Sequence, residues 1–283
     1  MFLSKNDIHL QSMSAWRAWK SLWIKNCQVT KSLDKVSVEA FVGKGHGKIL
    51  VQCAFGYSLS QNINTIKKYR DKIDVMCCDK AFGYLMQNGI VPDYCIIADG
   101  SVGLEWIKDQ DTSQTTLVAN VAANPEWTTN WKGQRVFYVN WDNIGSAQIL
   151  GKIADVYEVI PASSNVSNAQ VVFASQVLDH DAQLLVGYDY SWASFGTYYA
   201  GEDSDKRYYM RHMDMVSPYG YLAMTSSNLV FSCRWIMQYL YKFSRTNVIN
   251  CSEQGIMDLH KKDPLDKAIM EETYKTRRTV HCH

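Results

Sequence analysis

Three aspartates stand at the ends of apolar runs along the chain: Asp79, Asp99 and Asp189. Ligands of open parallel sheets bind beyond the carboxyl ends of the strands, near the point where strand order reverses. Carboxylates at neighbouring strand ends can hold a ribose, a metal ion or a reacting hydroxyl group. For Asp99, capping of the helix that follows is the structural alternative.

A glycine-containing turn follows the first apolar run and reads Gly56-Tyr57-Ser58-Leu59. Glycine lets the backbone turn tightly, and the start of the next helix offers free N–H groups and a positive dipole end. This arrangement can bind phosphate, although it is neither a Walker loop nor a GxGxxG motif. A plain strand-to-helix turn with a serine cap is the alternative.

Small polar side chains open a predicted helix at Asn165 and Ser167, where they can cap the helix or hold an anion or a base edge. His212 lies further on, in a polar segment. A lone histidine is more often structural, but beside a ligand cleft it is a candidate general base.

The segment 191–221 does not follow the alternation of strand and helix candidates seen elsewhere in the chain. It contains three glycines, a charge cluster at 202–207 and many tyrosines. Its length and composition predict a functional loop such as an active-site lid. A surface insertion is the alternative.

Short apolar runs alternate with helix-compatible stretches from residue 48 onwards. The runs are 49–55, 74–78, 94–98, 116–122, 136–141, 156–160, 184–187 and 247–251, and the helix candidates are 60–69, 80–88, 167–178 and 227–243. Continuous apolar runs are typical of strands covered on both faces. We therefore predict an α/β fold with a doubly wound, mostly parallel, modified Rossmann-like sheet over residues 48–283.

Residues 1–47 form a predicted N-terminal helical arm. Trp16, Trp19 and Trp23 have helical spacing, which places three indoles on one face. This face is expected to pack on the main domain, with substrate stacking or a homo-oligomer contact as alternatives.

The composition excludes several classes of protein. The chain has 283 residues, 47% of them hydrophobic, and a formal net charge of +1. It can bury a sizeable core, and the balanced charge argues against a dedicated polyanion binder. A run of about 18 apolar residues is missing, as is the charged-then-apolar plan of a signal peptide, so we expect a cytoplasmic protein without a membrane span. The cysteines lack CxxC spacing, which disfavours structural zinc.

The order of the motifs resembles a known family. The motifs are Gly56-Tyr57-Ser58-Leu59, Cys78-Asp79-Lys80-Ala81, Gly89-Ile90-Val91-Pro92-Asp93 with Asp99, Asn165-Val166-Ser167, Leu185-Val186-Gly187-Tyr188-Asp189 and Asn250-Cys251-Ser252-Glu253-Gln254-Gly255. This order is similar to that of the MptE-like hydroxymethylpterin diphosphokinase family, which includes the central domain of the Maf flagellin glycosyltransferases. Tyr57 replaces the usual proline, and Gln254 replaces a common second glycine.

The resemblance implies a nucleotide-dependent transferase with a core like that of bacterial sialyltransferases. The favoured activity is transfer of a sugar from a CMP- or UDP-type donor to a hydroxyl acceptor, without an obligatory cofactor. The alternative is an ATP- and Mg²⁺-dependent diphosphokinase, in which Asp99 and Asp79 hold the metal. A non-catalytic nucleotide-binding or interaction protein is the second alternative, supported by Tyr57.

For glycosyl transfer the resemblance also implies a role for each site residue. Gly56, Tyr57, Ser58, Leu59 and Gly187 would hold the donor phosphate, and Asp79, Asn165 and Ser167 would orient the nucleoside. Asp99 and Asp189 would line the reaction centre, with His212 accepting the proton and Tyr198, Tyr199 and Tyr208 stabilising the leaving phosphate.

Overall fold

The computed structural model describes residues 3–141, 144–161, 165–193, 197, 199–201, 212–243 and 246–280, without the side chains of residues 212 and 276–280. Its strands are β1 (Ile49–Cys53), β2 (Asp74–Cys78), β3 (Tyr94–Ile97), β4 (Thr116–Asn120), β5 (Arg135–Trp141), β6 (Val159–Pro161), β7 (Ala182–Val186), β8 (His212–Val216), β9 (Leu222–Ser226) and β10 (Asn247–Asn250).

Eight of these strands form one parallel sheet in the order β10-β7-β1-β2-β3-β4-β5-β6. Each predicted apolar run supplies one of them. The runs 156–160 and 184–187 are displaced, to Val159–Pro161 and Ala182–Val186. The predicted α/β class with a mostly parallel sheet is confirmed.

The helices are α1 (Lys5–Lys31), α2 (Ser58–Lys68), α3 (Asp79–Gln87), α4 (Pro125–Asn130), α5 (Ser146–Ala154), α6 (Val166–Phe173), α7 (Ser227–Phe243) and α8 (Leu265–Val280). A π-helical turn, Ala174–Leu178, continues α6. The four predicted helices correspond to α2, α3, α6 with its π turn, and α7. None of the helices in the described part of the chain is long and apolar enough to cross a membrane.

Buried side chains cover both faces of the sheet. Val51 and Val75 belong to one core cluster, and their neighbours Leu50 and Met76 belong to the other. Successive side chains of a strand point to opposite faces, so each strand contributes to both clusters. This explains why the strand runs are continuously apolar.

Strand order reverses between β1 and β7. The chain proceeds from β1 to β6 in one direction and then crosses to β7 on the other side of β1. Main-chain turns leave this point from neighbouring strands in divergent directions, which opens a crevice at their carboxyl ends.

The segment predicted as a lid ends in a hairpin rather than a loop. Strands β8 and β9 pair antiparallel, with Met215 opposite Ala223. The main-chain N–H of Trp192 donates to Met224 O at 2.9 Å, and the Thr225 hydroxyl donates to Tyr190 O at 2.7 Å. The hairpin is therefore fastened to the turn that follows β7. Residues 194–196, 198 and 202–211 of the predicted lid lie outside the described residues.

Helix α1 crosses the carboxyl edge of the sheet. Asn26 donates its side-chain amide to Ala122 O at 3.0 Å and to Gly100 O at 3.3 Å, which anchors the end of the helix beyond β3 and β4. Before its first turn, Leu3 N donates to the side chain of Gln238 on α7 at 3.0 Å. Of the predicted aromatic face, Trp16 and Trp23 pack against the core, whereas Trp19 is exposed.

Candidate active site

A cavity of about 570 Å³ lies at the carboxyl ends of the central strands. Residues that follow β1, β2, β3 and β7 line its floor, among them Gly56, Asp79, Lys80, Asp99 and Gly187. The point of strand reversal is therefore the point where the cavity opens, as expected for a doubly wound sheet.

Asp79 begins α3 directly after β2 and faces this cavity with only 3% of its surface exposed. Burial raises the pKa of its carboxyl to about 6, against the opposing effect of Lys80, and the nearby charge of Asp99 raises it further. Its Oδ1 accepts from Lys80 N at 2.7 Å. The other oxygen has no hydrogen-bond partner among the described residues and can accept from a ligand hydroxyl.

Lys80 supplies a cation beside this carboxylate. Its Nζ donates to the Tyr199 hydroxyl at 3.0 Å and lies 5.6 Å from the Trp106 ring centroid. Burial acts to lower the pKa of Lys80, but Tyr199 and Asp79 outweigh it and the pKa is raised. The side chain therefore stays charged. The Tyr199 ring stacks on Phe55 at 5.1 Å between centroids, which fixes the hydroxyl in place.

Asp99 caps a turn and also borders the cavity, and its predicted role towards a ligand stays a prediction. Its Oδ1 accepts from both the main-chain N–H and the hydroxyl of Ser101, each at 2.8 Å, so it caps the turn after β3. It also lines the cavity and is exposed. The negative charge of Asp99 raises the pKa of Asp79, so the two carboxylates influence each other's ionisation.

Polar amides form the side of the cavity away from the strand reversal. Asn165 caps α6, and its Oδ1 accepts from the Ser167 N–H at 3.0 Å and the Ser167 hydroxyl at 2.9 Å. Both line the cavity, together with Asn120 and Asn140. Asn140 Oδ1 is buried without a hydrogen-bond partner in the described part of the chain, so it is open to a ligand donor.

Asp189 does not occupy the predicted position at the reaction centre. It is 1% exposed, and its carboxylate accepts from the Ser58 N–H at 2.9 Å, the Ser58 hydroxyl at 2.5 Å and the Gln254 amide at 2.7 Å. Burial raises the pKa of this carboxyl, and the three hydrogen bonds oppose the rise. Asp189 therefore joins the turns after β1, β7 and β10 below the cavity.

Only part of the predicted phosphate loop, residues 56–59, faces the cavity. Gly56 lines the cavity, whereas Ser58 and Leu59 are fully buried beneath it. The N–H of Ser58 is already used by Asp189, so the start of α2 is closed to phosphate by a carboxylate of the protein itself. Tyr57 immediately precedes α2, as its N-cap residue.

The glycines of this region are required by close approach of main chains. A Cβ on Gly56 would lie 2.5 Å from Gly187 O. Gly187 has φ +78°, and a Cβ there would lie 2.2 Å from Ala54 O. Only glycine at both positions lets the turns after β1 and β7 touch.

Three further predicted site residues remain predictions. Tyr198 and Tyr208 lie outside the described residues, and His212 is described only as the first residue of β8, opposite Ser226. Within the described residues there is also no group of three or more His, Cys, Asp or Glu side chains that could hold a metal. The Asp79–Asp99 pair would need phosphate oxygens to complete a Mg²⁺ site.

Sequence reasoning missed Lys80, Asn120 and Asn140. Lys80 directly follows Asp79 and could have been selected with it, whereas Asn120 and Asn140 lie inside the predicted runs 116–122 and 136–141, so the strand-end rule did not reach them. It missed α1 as a cavity wall as well, because helical spacing defines a face without saying what the face meets.

Comparison with known proteins decides the family. A family model described as 6-hydroxymethylpterin diphosphokinase MptE-like matches residues 23–194, well over half of the chain. The chain belongs to the MptE-like family. The resemblance drawn from the motif order is thereby confirmed. None of the curated proteins compared with this MptE-like chain matches it.

One solved structure agrees with this assignment at the level of fold. The Maf glycosyltransferase from Magnetospirillum magneticum AMB-1 superposes with a TM-score of 0.66 at 13% identity, over 95% of this MptE-like chain and 45% of the Maf chain. The chain thus spans about half the length of that protein. A mammalian sialyltransferase, in complex with Gal-beta-1-3GalNAc-ortho-nitrophenol, gives a TM-score of 0.42 at 9% identity, over 88% of this chain and 89% of the other.

Proposed function

We propose that this protein is a glycosyltransferase that moves a sugar from a nucleotide-sugar donor to a hydroxyl acceptor. The observation that carries the proposal is the Asp79–Lys80 pair, a buried carboxylate beside a cation in a cavity at the strand reversal. Family membership supports a transferase, and the Maf structure supports a fold on which sugar transfer is known.

The cavity suits one nucleotide-sugar in size and polarity. Its volume of about 570 Å³ falls within the range of small-molecule sites. Asn120, Asn140 and Asn165 offer amide groups to a base or ribose. Lys80, with the Tyr199 hydroxyl, offers positive charge to a phosphate. In this proposal the base and ribose of the donor lie at the three asparagines, and its phosphate lies at Lys80.

The proposed step forms one bond and breaks another at the anomeric carbon of the donor. The acceptor oxygen attacks that carbon, and the bond to the donor phosphate oxygen breaks and leaves its electron pair on the nucleotide. Lys80 stabilises the charge that develops on this leaving group. We assign the acceptor proton to Asp79, since a carboxylate with a pKa of about 6 is a suitable base near neutral pH. His212, the base implied by the resemblance, remains the alternative.

A diphosphokinase is the second candidate, and one observation favours it. Asp79 and Asp99 both line the cavity at neighbouring strand ends, where two carboxylates could hold one Mg²⁺ ion together with phosphate oxygens. In that reaction the acceptor hydroxyl attacks the β-phosphorus of ATP, and AMP leaves with the electron pair of the broken bond.

Thermal-shift measurements with CMP, UDP and ATP, each with and without Mg²⁺, test the two proposals. A nucleotide at 100 times its Kd stabilises the folded state by about 2.7 kcal/mol, which raises the melting temperature by several degrees. Stabilisation by CMP or UDP without metal supports glycosyl transfer. Stabilisation by ATP that requires Mg²⁺ supports diphosphoryl transfer, and no stabilisation by any of them overturns both in favour of a non-catalytic protein.

A further inference from the structure

One wall of the cavity differs in chemistry from its floor. Helix α1 contributes Gln11, Ser12 and Trp19 to this wall, and α7 contributes Phe231 and Trp235. No charged side chain in the described part of either helix lines the cavity. The carboxylates and the lysine belong to the strand ends, so the cavity has a charged floor and an uncharged aromatic wall.

The two helices of this wall are held close to one another. The hydrogen bond from Leu3 N to Gln238 joins the start of α1 to α7, one turn beyond Trp235. The Trp235 ring stacks on Tyr239 at 5.7 Å with an interplanar angle of 4°, which fixes its orientation. The aromatic wall is therefore continuous from α1 to α7.

Trp19 differs from the other two tryptophans of α1. Trp16 and Trp23 pack against the core and lie 6.2 Å apart, and Trp23 also borders the cavity, whereas Trp19 lines the cavity with 46% of its surface exposed. A large indole that stays half exposed inside a cavity offers a flat apolar face to a ligand. Core packing thus accounts for two indoles of the stripe and leaves the third for binding.

Trp19 and the two carboxylates line the same cavity, with the indole set back from Asp99 along α1. Asn26, which bonds Gly100 O beside Asp99, lies two helical turns from Trp19, about 10 Å along the helix axis. A carbohydrate that stacks on Trp19 and extends along α1 can therefore direct a hydroxyl group towards Asp79 and Asp99.

We propose that Trp19 and its neighbours on α1 bind the acceptor, and that the acceptor is an uncharged carbohydrate. A sugar presents an apolar C–H face to an indole and hydroxyl groups at its rim. Gln11 and Ser12 line the cavity and supply side-chain groups for those hydroxyls. The inference rests on the proposed glycosyltransferase function.

Saturation-transfer NMR with neutral methyl glycosides tests the acceptor site. The probes are the methyl β-glycosides of glucose, galactose and N-acetylglucosamine, and 6-hydroxymethylpterin and a serine-containing peptide are the competing ligands. We expect glycoside binding that weakens at least tenfold in Trp19→Ala and Trp19→Leu. In Trp19→Phe, which keeps a flat ring, it should stay within about threefold of the wild type.

Leu10→Ala is the matched control, because Leu10 is a 59% exposed residue of the same helix outside the cavity. It should bind glycosides as the wild type does. If none of the glycosides binds, if Trp19→Leu binds them normally, or if the pterin or the peptide binds in their place, the inference is overturned. The nucleotide thermal shift of Trp19→Leu separates the two proposals. A retained shift with lost glycoside binding supports both proposals, whereas absence of any shift in the wild type overturns the proposed transferase function whether or not glycosides bind.

Discussion

The hydroxyl of Ser58 donates to Asp189 Oδ1 at 2.5 Å, although the two residues are 131 positions apart in the chain. The same hydroxyl oxygen accepts from Gly187 N at 2.9 Å. The turns after β1 and β7 are therefore one hydrogen-bonded unit at the point of strand reversal. Any ligand in the cavity above rests on this unit.

Asp189→Ala should destabilise the protein by about 3 kcal/mol or more, because three buried donors lose their acceptor together. Urea unfolding measures this. Asp99→Ala, at an exposed turn, serves as the control and should cost less than about 1 kcal/mol. Unchanged stability of Asp189→Ala with lost turnover would restore Asp189 to the reaction centre.

Gly56→Ala should destabilise the fold by more than about 3 kcal/mol and remove the nucleotide thermal shift. The new Cβ would clash with the main-chain oxygen of Gly187 and with a carboxylate oxygen of Asp189. Gly89→Ala is the control. Gly89 has φ +72° with open space around it, so alanine there carries backbone strain alone, about 1 to 2 kcal/mol. The nucleotide shift should persist in Gly89→Ala, and its loss there would mean that backbone strain alone disturbs the site.

Asp79→Asn should separate activity from stability. Transfer should fall by about 10²- to 10⁴-fold if Asp79 takes the acceptor proton. The stability of the folded state should rise, because asparagine removes a buried charge. A carboxyl pKa raised from 3.8 to about 6 means that ionisation costs the folded state about 3 kcal/mol.

The sign of this effect sets its pH dependence. The folded state holds the Asp79 proton more tightly than the unfolded state does, so wild-type stability declines as pH rises from about 4 to about 6. The advantage of Asp79→Asn should grow through that window and stay constant above it. Urea unfolding at pH 4, 6 and 8 measures it, and an advantage that does not change with pH contradicts the burial of the charge.

Lys80→Met should weaken nucleotide binding by about tenfold, the effect of one charge-assisted hydrogen bond to phosphate. Binding should also lose part of its dependence on salt. Tyr199→Phe keeps the ring stacked on Phe55 and removes only the hydroxyl bonded to Lys80, so it should cost less than about threefold. Calorimetric titration with CMP or UDP measures both, and an equal loss in the two variants would assign phosphate binding to the hydroxyl.

The parallel sheet was predictable because its strands are buried on both faces. The runs that became β1, β2 and β3 are apolar on both faces except at Gln52 and Asp74, and a run of that kind between helix candidates has few other interpretations. Strand-end logic then placed Asp79 and Asp99 in the cavity without knowledge of the strand order.

The hairpin β8–β9 and the role of Asp189 were not predictable in the same way. Met213, Val216 and Leu222 are exposed, so the hairpin lacks the apolar signal of a buried strand. A strand end also fixes the position of a residue and not the direction of its side chain. Asp189 turns towards Ser58 and Gln254, and only the folded chain brings these two residues beside it.

The anchoring of α1 also has a consequence for the order of events during synthesis. Asn26 bonds to the carbonyls of Gly100 and Ala122, which are made 74 and 96 residues later. Because the ribosome adds about 5–20 residues per second, roughly 4 to 20 s pass between the synthesis of α1 and the synthesis of the surface on which it docks. Its tryptophans remain uncovered for that time. The α1 wall of the cavity is thus made before the strands on which it docks, and it can dock only after β1 to β4 have been made.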